Sequence, residues 1–335
     1  MEPSFPLFRL PDNAIVHVLG NMYFDHLLNI SFVSTKARTL VTSTLLEADL
    51  INIKVSRFID IEVRFRNKTT MHLYFYYDGN DQNAAQPVDD PNRLSPVDIT
   101  LPVVASLLFN YIPIHSSTPF NFIDWMNHIQ TIFCFAKPPG VRFYHECERF
   151  DVQYLKEAIG NVDVLRVESE VTLIYSKEIL KYFNTPNELF LERNPLEKVS
   201  ETQKIFIQNF KMFEFDDVYS LDDLLMVNSE KVRFRHPISQ KQFNRFVKLW
   251  INGSNQRQQY MLLAINKNDF VSGEVYLKGI KCMEMKEEAK KEIREKHRLM
   301  ESVDMIKIKR KDGTIAVIGI KDSGDTLYVH FIVQH

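Results

Sequence analysis

The chain has few cysteines, almost no excess charge and no long apolar run, and each absence narrows what it can be. Cys134, Cys147 and Cys282 are an odd, widely spaced set in 335 residues, which fits a reducing compartment better than a disulfide scaffold. The 41 basic and 43 acidic residues nearly cancel to a formal net charge of -2, so no global field favours nucleic acid or an anionic membrane. No apolar run reaches membrane-spanning length. The first residues, with Glu2, Pro3 and Pro6, predict no signal peptide. Cytoplasm, nucleus or both are the expected location, and the sequons at Asn29, Asn67 and Asn252 are expected to be irrelevant there.

Catalytic signatures are also missing. No GxSxG, phosphate-binding P-loop, GxGxxG or HExxH occurs. His128, Cys134, His145 and Cys147 lie close in sequence but lack paired Cys-x-x-Cys spacing, and His145 with Cys147 reads as one face of a strand rather than a zinc set. Asp216-Asp217 and Asp222-Asp223 read as loop and helix-capping residues, since nothing nearby would separate their pKa values. The expectation is a chain that is not an enzyme and uses no metal and no cofactor.

What is present is core material, 45% hydrophobic overall, enough for two or three units. The segment from Phe5 to Leu45 has the sharpest pattern. Pro11 suits a first helical turn, and Ala14, Ile15, Val18, Leu19 and Met22 then share one face. Asp25 can cap a second helix carrying Leu27, Leu28 and Ile30. Ser34 can cap a third, with Ala37, Leu40, Val41 and Leu45 on one side. Three helices in about forty residues cannot bury all that surface among themselves, so some of it should face something else.

These residues resemble the F-box motif. Leu10-Pro11 opens it, Ile15, Val18, Leu19 and Met22 fill the apolar positions of its first helix, and Leu27-Leu28-x-Ile30-Ser31-x-Val33-Ser34 matches its central run without a gap. The chain departs from the motif at Asn13, where an acidic residue is usual, at Ala37, where Trp is usual, and at Tyr23-Phe24, where Asp-Pro is usual. The resemblance implies docking on a Skp-type adaptor and, through it, a cullin. Leu10, Pro11, Ile15, Val18, Leu19, Leu27, Leu28, Ile30 and Val33 would be the apolar knobs, some packing the helices together and some entering the adaptor's groove.

Beyond the head, Ile51 to Tyr77 alternates as strands do, with turns at Arg57 and at Arg66-Asn67-Lys68. Asp78 to Pro96 shifts to Gly, Asn, Asp and Pro and reads as a solvated linker. Phe122, Ile123, Met126, Ile129, Ile132 and Phe133 predict a helix between Pro119 and Pro138. Strand-like pieces then recur at Val141, Val162, Glu188, Lys211, Lys231 and Tyr260, at intervals of about 20 to 29 residues, within the range of leucine-rich-type strand and helix repeats. Stacked units of this kind would present one accessible sheet face.

Leu221 to Leu225 (LDDLL) and Lys248 to Ser254 (KLWINGS) resemble the F-box-associated domain of the large nematode F-box family, as does the Lys309 to Thr314 turn. Ser239 can cap a helix with Phe243, Phe246, Val247 and Trp250 as its core stripe, ended by Gly253. Lys278 to Arg298 predicts a solvated helix with i,i+4 pairs Glu287–Lys291 and Glu292–Lys296. Asp304 to Val333 predicts a β-meander turning at Asp312-Gly313 and Ser323-Gly324.

The fold expected is α+β: a three-helix F-box at 5–47, a β-rich segment at 48–118 with its acidic, Pro-containing linker at 78–96, and at 119–335 an irregular, leucine-rich-repeat-like platform closing in a β-meander. The function implied by the resemblance is substrate recognition in an SCF-type (Skp-cullin-F-box) E3 ubiquitin ligase, with a protein substrate on the C-terminal domain and neither nucleic acid nor membrane as partner. The competing reading is a protein-binding scaffold whose F-box-like head does not assemble into a ligase, which suits the departures at Asn13 and Ala37.

Overall fold

A computed structural model describes residues 7–77, 95–107, 113–184, 186–216, 220–267 and 276–334. The chain divides into two compact units, residues 1–186 and 187–335. The linker expected at 78–96 lies outside the described residues except for its last two.

The first unit begins with α1 (Asp12–Leu19), α2 (Phe24–Ser31) and α3 (Thr35–Thr42). Pro11 sits one position ahead of α1, with its carbonyl accepting from the Ala14 and Ile15 N–H groups. Ser34 caps α3 by accepting from Ala37 N–H at 3.0 Å. Asp25 does not cap α2: the helix starts one residue earlier, at Phe24, which puts the carboxylate inside the first turn near the positive end of the helix dipole.

Strands β1 (Ala48–Val55), β2 (Ile59–Phe65) and β3 (Thr70–Phe75) follow as an antiparallel meander. Its turns fall where the basic residues predict, and Lys68 takes φ 67° in the second. Two short edge strands, β4 (Ala105–Leu107) and β5 (Pro113–Ile114), extend the sheet beyond β3. On the other side β1 pairs in parallel with β6 (Gly140–Phe143), and β6 in parallel with β7 (Val164–Val167). Helices α4 (Phe122–Ile132), α5 (Val152–Ile159) and α6 (Leu173–Tyr182) complete the unit. An Asn121/Asp124 capping box starts α4.

Alternation along these strands separates two faces. Ile53, Val55, Ile59, Ile61, Leu73, Phe75, Val141 and Phe143 are buried. The opposite face carries a cross-strand row of polar residues, Tyr74, Asp60, Lys54, Arg142 and Arg166, each in register with the next. β6 stops at Phe143, so His145 and Cys147 are not a strand pair. Glu146 takes a left-handed φ of 66°, and Cys147 opens a 3-10 turn, which breaks the two-residue repeat.

In the second unit β8 (Glu188–Leu191), β9 (Met212–Phe215), β10 (Lys231–Ile238) and β11 (Tyr260–Asn266) pair in parallel in chain order. The connections carry α7 (Val199–Phe206), α8 (Leu221–Met226) and α9 (Gln240–Ile251). Serine-led capping boxes start α8 (Ser220/Asp223) and α9 (Ser239/Gln242). Gly253, at φ 111°, follows the end of α9, a backbone conformation that favours glycine.

The closing meander is β12 (Asp304–Lys309), β13 (Ile315–Ser323) and β14 (Thr326–Gln334), joined to β11 through β14. Ahead of it, α10 spans only Glu287–His297. The segment before α10 is held extended because Met283 exchanges backbone hydrogen bonds with Lys307 at 2.8 and 2.9 Å. Glu287 pairs with Lys290 at 2.9 Å and Arg294 at 3.7 Å instead of Lys291.

Candidate functional site

The N-terminal helices divide their apolar residues between two tasks. Ile15, Leu19, Leu27, Leu28, Ala37, Leu40 and Val41 are buried and hold the head together. Burial of this size, about 1.5–3 kcal/mol for each large side chain, is unavailable to α1–α3 alone, and the remainder of the first unit supplies the missing surface. Phe24 stacks on Phe65 of β2 with ring centroids 3.8 Å apart. Phe32 packs against Phe120, Trp125 and His128.

A polar clamp reinforces this seam. Ser31 Oγ donates to the Leu28 carbonyl at 2.6 Å and lies 2.7 Å from His128 Nε2 of α4, so the imidazole Nε2–H donates to the hydroxyl. Burial, with the Arg38 cation adding to it, lowers the His128 pKa to about 4, which keeps the ring neutral. Ser117 Oγ donates to the Phe32 carbonyl at 3.0 Å, a further tie to the head.

The nine expected knobs therefore sort by accessibility. Ile15, Leu19, Leu27 and Leu28 lie in the chain's own core, Leu10, Val18 and Ile30 are half-buried, and Pro11 and Val33 are exposed, Val33 by 63%. Two accessible residues were not among them: Tyr23, 78% exposed between α1 and α2, and Phe8 in the turn ahead of α1. Both fall outside a helical apolar stripe, so periodicity gave no signal for them.

The departures from the motif also have places. Asn13 is exposed, and its side-chain oxygen accepts from Ala14 N–H at 2.9 Å. Ala37 is fully buried, so its difference from Trp alters packing inside the head rather than the accessible set.

The other candidate chemistry is dispersed. Among the described residues, His128, Cys134, His145 and Cys147 do not converge as a ligand set. All three cysteines are free. Asp223 serves the capping box of α8, and Asp217 lies outside the described residues.

Residues 7–47, the head with α1–α3, match the F-box domain family. Residues 201–263, from α7 into β11, match the F-box associated family. The chain thus has the F-box plus F-box-associated architecture. No curated protein and no solved structure matches it.

Proposed function

We propose that this chain is the substrate-recognition adaptor of an SCF-type E3 ubiquitin ligase, with no catalytic chemistry of its own, acting in the cytoplasm or nucleus. The observation that carries the reading is the division of labour in the head. A fully packed interior frees Pro11, Tyr23 and Val33, flanked by Leu10, Val18 and Ile30, for a partner. Specific interfaces bury on the order of 1,600 Å² in total and depend on a few apolar anchors. Such a set, presented by α1, α2 and the turns that flank them, supplies anchors of that kind.

The ligase would gain from this chain a raised local concentration of substrate beside the ubiquitin-transfer site. The leucine-rich-repeat likeness of the parallel strand and helix array belongs to the same reading, since arrays of this kind offer an extended sheet face to partners.

The test is calorimetric titration of the full-length chain with a purified Skp-type adaptor, wild type against Pro11→Ala/Val33→Asp. Both positions are exposed, so the fold should survive. Micromolar or tighter binding by wild type, weakened about tenfold or more in the variant, is expected. Absence of wild-type binding, or equal binding by both, would leave the head as a packing element of a scaffold outside any ligase.

A further inference from the structure

On the polar face of the first unit's sheet lies a cavity of about 520 Å³, within the range of small-ligand and side-chain pockets. It opens beyond the carboxyl ends of the parallel strands β1 and β6, where ligands gather in open α/β sheets. Its walls are aromatic. Phe58 lies 5.5 Å from Tyr74 and 5.4 Å from Tyr77, ring centre to ring centre, and Tyr76 and Tyr144 complete the lining.

Adjacent strand residues ordinarily point to opposite faces, yet Tyr76 and Tyr77 both line this space. The chain achieves this by a left-handed kink at Tyr76, φ 59°, just after β3 ends. For an aromatic residue that conformation is costly and persists only where its surroundings enforce it.

The Tyr76 hydroxyl is buried, and among the described residues nothing pairs with it. Burial, with Asp98 adding to it, raises its pKa far above the ordinary phenol value, so it remains a proton donor. The hydroxyl is thus closed to a ligand, and what Tyr76 offers the cavity is its ring. Formal charges around the cavity, in contrast, are balanced, Lys54 and Arg57 against Asp60 and Glu146. Lys54 is 3.2 Å from Asp60, whose other oxygen is 3.0 Å from His72, and His145 is 3.9 Å from Glu146. Nothing there selects a phosphorylated or strongly basic ligand.

We propose that this cavity is the substrate-recognition pocket of the adaptor, taking a peptide that inserts an aromatic or large aliphatic side chain among the rings of Phe58, Tyr74, Tyr77 and Tyr144. The inference rests on the adaptor reading and moves recognition to residues 54–146, outside the segment that matches the F-box associated family.

Phage-displayed random peptides selected on the full-length chain, then titrated calorimetrically as synthetic peptides, test it. Selected peptides should share an aromatic or large aliphatic residue. Their affinity should fall about tenfold in Tyr77→Ala and in Tyr144→Ala, as for truncated anchors. Trp125 fluorescence verifies the fold of each variant. No selection above background, peptides that bind both variants as they bind wild type, or peptides enriched in charge rather than apolar anchors would each overturn the pocket. Adaptor titration of the same proteins separates the two ideas: peptide binding without adaptor binding removes the ligase reading alone, and adaptor binding without peptide binding removes the pocket alone.

Discussion

Protonation of His128 should loosen the seam between the head and α4. In the folded chain this imidazole is 4% exposed, donates through Nε2 to Ser31, and leaves Nδ1 buried without a partner among the described residues. A second proton would have to sit on Nδ1, with no acceptor and with Arg38 adding repulsion. The folded pKa of about 4 lies below the ordinary 6.5. Between those values the unfolded chain binds the proton and the folded chain does not, so stability rises with pH in that window. The contribution is fully present above about pH 6.5 and declines as pH falls toward 4. At pH 5 the loss is about 1.36 × 1.5, or roughly 2 kcal/mol, at 1.36 kcal/mol for each pH unit crossed.

The chain contains two tryptophans, Trp125 in the first unit and Trp250 in the second. A Trp250→Phe background therefore leaves Trp125, beside Phe32 and Phe75, as the reporter of this seam. Urea unfolding followed by its fluorescence at pH 7.5 and pH 5, with and without His128→Gln, isolates the effect. Gln can still donate to Ser31 but does not titrate. His330, whose pKa burial and the Arg233 cation also lower to about 4, remains in both proteins and cancels. The parent should lose about 2 kcal/mol more than the Gln variant on acidification. Equal losses would refute the assignment of a buried neutral imidazole at this seam.

Two further outcomes concern the second unit. Ser239→Ala removes the hydroxyl that accepts from Gln242 N–H at 3.2 Å in the capping box of α9. It should cost about 1 kcal/mol, seen as a lower urea midpoint by Trp250 fluorescence with Skp-type adaptor binding unchanged. Glu214→Ala removes a carboxylate 2% exposed that accepts from Arg235 Nε at 2.9 Å and Arg233 at 3.3 Å. Breaking a buried pair costs about 3–5 kcal/mol, but both arginine side chains are more than two-fifths exposed and water will take over part of their solvation. About 2–3 kcal/mol is expected from denaturant unfolding, and a loss under 0.5 kcal/mol would show the network to be inert.

Local signals made α9 readable from its residues: a cap at Ser239, an apolar stripe ending in Trp250, and a glycine after the last turn. The closing meander was readable for similar reasons, its turns marked by Asp312-Gly313 and Ser323-Gly324. Sorting Ile15 from Val18 was not possible, because both belong to one apolar stripe and only packing against the rest of the first unit decides which is covered. The start of α10 at Glu287, later than the Lys278 expected, is not legible in the sequence because the Met283–Lys307 bridge comes from tertiary structure and overrides helix propensity. Ser31 and His128, 97 residues apart, leave no trace of their bond in sequence spacing. The aromatic cavity was hidden for two reasons: its residues meet only through strand register, and the Tyr76 kink inverts the alternation from which a face is read.

Strand β2 gives the proposed docking head and the proposed pocket a common mechanical frame. Phe65, its last residue, stacks on Phe24 of the head. Asp60, near its start, and Phe58, just before it, line the cavity. Ladders to β1 and β3 on either side hold the strand extended, and six residue steps at about 3.4 Å separate its ends by about 20 Å. A peptide seated in the cavity would thus be held at a fixed distance from whatever grips the head. A flexible tether between two binding sites dilutes one against the other as its length grows, and a short hydrogen-bonded strand does not. Recognition on this unit would therefore hand the ligase a substrate of defined position, which is the contribution to transfer that the proposed adaptor makes.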